Sequence, residues 1–224
     1  MDHRRLESRL QALLGQDVAL ACLSTSEGDT NTLVPSEKMA VSSAVEHRQR
    51  EFAAGRSAAR EAMRRLGRGE EAIPANPDRS PCWPSGLVGS ITHCRTTCVA
   101  VVGLDRSWQS VGVDVEPDQG MPCELWGSIC GPDELRRVRQ IPAANQGRWV
   151  TRVFCAKEAY YKWVYPRIQT ILDFHDVVIE MDPMLEDTKF SVRSLKHVAQ
   201  KATPPSIEGT LTVAQGLVLC LMIH

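Results

Sequence analysis

The sequence predicts an α+β protein in which antiparallel strands pack with a few helices. Three observations lead there. Short apolar runs of strand length recur through the chain, most densely toward its end. Two longer stretches, 36–66 and 147–165, repeat apolar residues at helical spacing. Glycine and proline punctuate the intervening segments, above all across 69–86.

Residues 36–66 read as one long helix opening near Ser36 and Glu37. Phe52, Ala59, Met63 and Leu66 fall on one face, and Gly67 is a natural stop. Arg56 lies on that same face, where an arginine either snorkels outward or meets an anionic partner. Pro74, Pro77, Pro81, Pro84 and Gly86 make the next segment a loop. GLVGSITHC and CVAVVGL then read as successive strands, and SVGVDVE as a third after the polar break at Asp105 to Ser110. Gly131, Pro132 and Asp133 introduce a short helix, PDELRRVRQ. The following helix runs from about Gly147 to Tyr165, with Pro166 ending it; Trp149, Val153, Ala156, Tyr160 and Trp163 form its core stripe. DVVIEM, KFSVRSL, IEGTLTV and LVLCLMI follow as strands, the last two joined through Ala214-Gln215-Gly216 as a hairpin. No internal sequence repeat is evident.

The 224 residues suffice for one large domain or two small packed lobes. A hydrophobic content of 43% and charged content of 24% are those of a soluble protein. A net charge of -1 argues against a general nucleic-acid binder. The N-terminus lacks an apolar stretch of signal-peptide length, and the run Leu217 to Ile223 is too short to span a bilayer. The eight cysteines include no CxxC pair and read as reduced thiols of a cytoplasmic protein. His93, Cys94 and Cys98 are grouped, but no fourth zinc ligand stands at a sensible spacing.

Residues two apart in a strand share a face, so Asp114 and Glu116 present two carboxylates side by side. Hard oxygen donors suit Mg²⁺ or Mn²⁺; taken alone, the pair equally fits the polar face of an edge strand. Glu158 lies opposite the core stripe of its helix, with Phe154 and Lys162 one turn to either side. A Glu158–Lys162 pair alone is worth about 0.2–0.5 kcal/mol and leaves the aromatic neighbours unexplained. Three carboxylates with Lys157 and Lys162 are what a metal-bound polyphosphate needs. GSITHC adds small residues, which let a backbone approach a ligand, before Thr92 and His93. A lone strand histidine also fits a satisfied core position.

Four ordered blocks resemble the monomeric 4′-phosphopantetheinyl transferases: RQREFAAGRSAAREAMRRLG (48–67), PCWPSGLVGSITHC (81–94), VGVDVEP (111–117) and FCAKEAYYK (154–162). They are most similar to the enterobactin-synthase and mycobacterial branches. The resemblance implies two similar α/β halves, about 1–106 and 107–224, related by a pseudo-twofold with the active site between them. It implies that coenzyme A donates its phosphopantetheine arm to a serine of an apo acyl or peptidyl carrier protein, releasing adenosine 3′,5′-bisphosphate. Such carriers serve fatty-acid, polyketide and nonribosomal-peptide or siderophore synthesis. Asp114, Glu116 and Glu158 match the metal ligands, and Glu158 also the base for the serine. Lys162 matches the lysine on the pyrophosphate and Lys157 its motif neighbour. Arg48, Arg56, Thr92 and His93 match nucleotide contacts, mainly to the 3′-phosphate.

Many relatives carry a Gly-x-Pro step with a nearby lysine before the WP motif. This chain has Asp78-Arg79-Ser80-Pro81 instead, and Arg79 is the candidate for the missing charge. Where relatives dock the carrier, residues Gly120 to Gly131 bring Leu125, Trp126 and Ile129, which form either a binding patch or local core. The alternative to an active transferase is a coenzyme A-binding protein that no longer catalyses. A Mg²⁺-dependent nucleotide hydrolase would want a P-loop, and there is none.

Overall fold

The computed structural model describes residues 3–12, 14–197, 199 and 207–224. The chain divides into two compact units, Met1–Val111 with His224, and Gly112–Ile223.

The first unit runs α1 (His3–Gln11), β1 (Val18–Ser24), α2 (Pro35–Met39), α3 (Glu46–Arg65), β2 (Leu87–His93) and β3 (Thr97–Leu104). Its antiparallel sheet has the order β1-β3-β2, with Val101 opposite Leu20 on one side and Ser90 on the other. Helix α3 buries Ala53, Ala58, Ala59 and Ala62, and such small side chains let it lie close to the sheet. Gly55 extends that contact: a Cβ there would stand 2.9 Å from Ile91 Cγ2. Ala19, Ala21, Met63, Ile73, Ala100 and Val102 complete the core.

Neither α1 nor β1 was anticipated. Strand β1 reads VALACLS, an apolar run with no glycine or proline beside it, and it lies at the sheet edge. Side chains satisfy that edge. Leu20 N donates to Gln11 Oε1 (3.0 Å), Cys22 N to Glu7 Oε2 (2.9 Å), and Arg65 Nη1 donates to Leu20 O (2.7 Å).

The helix expected over 36–66 is two helices, α2 and α3. Ser42 Oγ donates to the Met39 carbonyl and Gln49 Nε2 to the Ala44 carbonyl. These polar side chains take acceptors that a continuous helix would have used.

The second unit runs β4 (Val111–Pro117), α4 (Trp126–Ile129), α5 (Pro132–Val138), α6 (Ala143–Ile168), β5 (Val177–Met181), β6 (Asp187–Ser194), β7 (Ile207–Ala214) and β8 (Leu217–Ile223). The sheet order is β4-β8-β7-β6-β5. Both sheets thus place the unit's first strand beside its last. Gln215 and Gly216 both take positive φ (54° and 77°), the geometry of a tight two-residue hairpin between β7 and β8. The α6 stripe Trp149, Val153, Ala156, Tyr160 and Trp163 is at most 1% exposed and forms the centre of the core. Pro166 does not end α6. It sits in the last turn, where only one backbone bond is forgone, and the helix stops after Ile168, with Gln169 left-handed at φ 48°.

Each unit also contains a buried glutamate in the third position of a short helix that opens on proline: Glu37 in α2 and Glu134 in α5. Glu37 accepts from Val34 N (3.2 Å), Ile73 N (2.8 Å) and Arg60 Nη1 (2.8 and 3.0 Å). Glu134 accepts from Gly131 N (2.9 Å), Ile179 N (2.9 Å) and Lys157 Nζ (2.7 Å). The cation comes from the unit's long helix in both cases, 23 residues after the glutamate.

Candidate functional site

In the second unit, β4 and α6 hold the acidic group together. Gly112 makes this packing possible, because any side chain there would meet the α6 backbone. Cys155 Sγ lies 3.3 Å from the Asp114 carbonyl, and Arg152 grips Asp118 with two bonds of 3.1 and 3.2 Å. Thr151 Oγ1 donates to the Gln119 carbonyl at 2.7 Å. The strand therefore has a fixed register against the helix.

On that frame Asp114 is buried, while Glu116 and Glu158 are half-buried. Lys162 Nζ donates to Asp114 Oδ1 (2.5 Å) and to the Val113 carbonyl (3.3 Å). Burial first, then the Asp114 and Glu158 charges, push the Glu116 carboxyl up to about 7 against the pull of Lys162. Burial also raises Glu158, with Asp114 adding to it and Lys162 opposing. Burial disfavours the Lys162 charge, but Asp114 and Glu158 outweigh it and leave that ammonium above its usual range. Asp114, Glu116, Glu158 and Lys162 thus form one electrostatic unit.

Lys157 does not join them. It is 2% exposed, and its three protons go to Glu134 Oε2, the Ile129 carbonyl (2.8 Å) and the Phe174 carbonyl (2.8 Å). Its expected place beside Lys162 on the polyphosphate gives way to an internal anchor, because one helix position separates the face of Glu158 from the face turned toward α4 and α5. Glu134, which the sequence reading missed, is its partner.

The first unit collects the expected nucleotide contacts at α3 and the end of β2. Arg48 Nη1 approaches His93 Nε2 and bonds Glu51 Oε2 at 3.2 Å. Since a guanidinium only donates, His93 must offer the lone pair of Nε2 in that contact. Arg56 is 5% exposed, donates Nε to the Ile73 carbonyl (2.6 Å) and stacks 4.0 Å from the Phe52 ring centroid. Burial lowers it to about 10, opposed by the field of Glu37, so it remains a cation at neutral pH. Thr92 is buried beside His93 on β2. Arg79 is exposed at φ 71° in a tight Asn76–Ser80 turn. Glu51 is a further member of this cluster that the sequence did not single out.

The three carboxylates suit a hard divalent cation in kind, and the raised Glu116 and Glu158 mark crowded negative charge that a cation would relieve. Among the described residues, no three acidic, histidine or cysteine side chains stand at ligating spacing. The ammonium of Lys162 is the cation on Asp114. The segment 120–131 is divided: Leu125 is 47% exposed, whereas Ile129 is buried and Trp126 Nε1 bonds the Met121 carbonyl (2.9 Å).

Two family matches cover most of the chain. The 4′-phosphopantetheinyl transferase N-terminal domain matches residues 36–103, and the 4′-phosphopantetheinyl transferase superfamily matches residues 110–204. The chain is 35% identical to the 4′-phosphopantetheinyl transferase PptT of Mycobacterium tuberculosis over 221 residues, 96% of each protein. It is 34% identical to the transferase Npt of Nocardia iowensis over 149 residues, 66% of each. It is 37% identical to enterobactin synthase component D of Escherichia coli K12 over 135 residues, 59% of this chain and 61% of that one.

Proposed function

The chain belongs to the 4′-phosphopantetheinyl transferases, and from that premise we propose how its residues divide the reaction. The protein transfers the 4′-phosphopantetheine arm of coenzyme A to carrier-protein domains. The serine oxygen of the carrier bonds to the phosphorus bearing pantetheine, the pyrophosphate bridge to that phosphorus breaks, and adenosine 3′,5′-bisphosphate leaves.

Glu158 takes the serine proton. A hydroxyl is a weak nucleophile until its proton has an acceptor, and a raised carboxyl is a stronger base than an ordinary one. Lys162 supplies a fixed positive charge for the pyrophosphate oxygens. Asp114, Glu116 and Glu158 would hold Mg²⁺, with Mn²⁺ as a substitute. A bound divalent ion would supply Lewis-acid neutralisation of pyrophosphate charge. Arg48, Arg56, Thr92 and His93 hold the nucleotide end, with the arginines on its 3′-phosphate, for which guanidinium geometry is suited. Arg79, exposed on its turn, would supply to coenzyme A the positive charge that a lysine gives in many relatives. Leu125 is the exposed apolar residue offered to the carrier.

The observation that carries the assignment is the coupled group of Asp114, Glu116, Glu158 and Lys162 on one strand–helix pair. We also read the protein as a cytoplasmic monomer. Among the described residues no helix is long and apolar enough to cross a membrane.

The test is kinetic. Glu158→Gln and Asp114→Asn should retain the wild-type circular dichroism spectrum and lose carrier modification by about a hundredfold or more. Full activity in either variant would rule out this assignment.

A further inference from the structure

The buried glutamates Glu37 and Glu134 belong to a device built twice. In each unit a short helix opening on proline puts a glutamate in its third position, turned inward and essentially inaccessible. Each glutamate accepts the backbone N–H three residues before it and the N–H of an isoleucine beyond the long helix, Ile73 or Ile179. Each also takes a cation 23 residues later in sequence. The parallel extends to the cation's other bonds. Arg60 donates to the carbonyl of Thr32 (3.2 Å) and Lys157 to that of Ile129 (2.8 Å), in both cases five residues before the glutamate.

What differs is the residue that each device holds beside it. In the first unit, Ile73 gives its N–H to Glu37 and receives Arg56 Nε on its carbonyl, so Glu37 fixes the acceptor that aims Arg56. In the second, Lys157 pins α6 at three points, to α5 and to the carbonyls of Ile129 and Phe174. Three bonds from one ammonium fix the rotation of the helix about its axis there. Glu158, the next residue, takes its bearing from that rotation.

We propose that Glu37 and Glu134 are positioning residues with separate duties: Glu37 sets Arg56 for coenzyme A binding, and Glu134, through Lys157, sets Glu158 for proton removal. This rests on the roles given to Arg56 and Glu158 above. A purely structural role would lower stability and active fraction alike in both units. Separate duties split the kinetic constants.

The experiment measures kcat, KM for coenzyme A and thermal midpoint for Glu37→Gln, Glu134→Gln, Lys157→Met and the double variant Glu134→Gln/Lys157→Met. An apo carrier protein and Mg²⁺ are supplied throughout. Glu134→Gln and Lys157→Met should lower kcat about ten- to a hundredfold with KM within about twofold. Glu37→Gln should raise KM about tenfold with kcat little changed. The double variant should lose no more than the worse single one, since the pair acts as a unit. Lys157→Arg, which keeps the charge, should recover part of kcat; it also carries the comparison should Lys157→Met not fold. Folded variants with wild-type constants, or constants that all fall in step with the thermal midpoint, would overturn the proposal. Glu158→Gln run alongside separates the two readings. If it keeps wild-type kcat, the site assignment fails. If it is inactive while Glu134→Gln keeps wild-type kcat, only the positioning role fails.

Discussion

A Cβ on Gly112 would lie 2.1 Å from the carbonyl oxygen of Ala159. Strand β4 and helix α6 touch there backbone to backbone, two residues before Asp114 in the strand and one after Glu158 in the helix. The acidic group depends on this contact, because a helix held further off would carry Glu158 and Lys162 away from Asp114. Gly112→Ala should therefore cost about 1–3 kcal/mol, the usual range for overpacking a tight contact. Urea unfolding measures that loss, and carrier modification at a temperature where the variant stays folded should fall as well.

Arg48 and Arg56 are assigned to the 3′-phosphate of coenzyme A. Arg48→Ala should then raise KM for coenzyme A about tenfold or more, the scale of one charge-assisted hydrogen bond. Dephospho-coenzyme A, which lacks that phosphate, should react equally well with variant and wild type. A similar loss on both donors would place Arg48 elsewhere.

Glu116 supplies a pH prediction for the protein stripped of metal. Its folded carboxyl titrates near 7, above the ordinary 4.5, because of burial and the neighbouring Asp114. The folded state thus binds the extra proton, and stability from this group is fully present below about pH 4.5 and lost as pH rises through 7. Glu116→Gln has no charge to lose. In EDTA its thermal midpoint should exceed the wild type's at pH 8, and the difference should shrink toward pH 4.5.

Two cysteines, Cys82 and Cys123, are exposed, and the other six are buried. Burial pushes Cys98 and Cys130 up to about 12 and Cys155 well above its usual range. A thiol reagent at pH 7.5 should modify Cys82 and Cys123 quickly and the rest only after denaturation. Peptide mapping of the native labelled protein checks this.

The core stripe of α6 and the hairpin at Gln215-Gly216 were legible because each rests on local chemistry, an apolar period and a turn signal. Edge strand β1 was not. Turn residues flank its apolar run, Asp17 at φ 63° before it and the Ser24 cap after it, but the groups that hold its edge, Gln11, Glu7 and Arg65, come from other elements. The break between α2 and α3 was hidden for a similar reason, since Ser42 and Gln49 act through side-chain bonds that apolar spacing does not register.

The DVE and KEAYYK blocks brought Asp114, Glu116, Glu158 and Lys162 to notice; in the structure Lys162 bonds Asp114, and the charges of both act on Glu116 and Glu158. Lys157 was misplaced because its partner Glu134 is 23 residues away. The signal existed in duplicate: VPSE with Arg60 and GPDE with Lys157 share spacing and capping pattern. A search for repeated apolar residues passes over a repeat written in a proline, a glutamate and a cation.

The acidic group of β4 and α6 is proposed to support phosphopantetheine transfer only with a divalent metal bound. The most direct measurement is the intact mass of an apo carrier protein after incubation with this protein and coenzyme A, with Mg²⁺ in one arm and EDTA in the other. The carrier should gain one phosphopantetheine arm with Mg²⁺ and none in EDTA, and should recover the gain when excess Mg²⁺ is restored. An undiminished gain in EDTA would contradict the metal requirement.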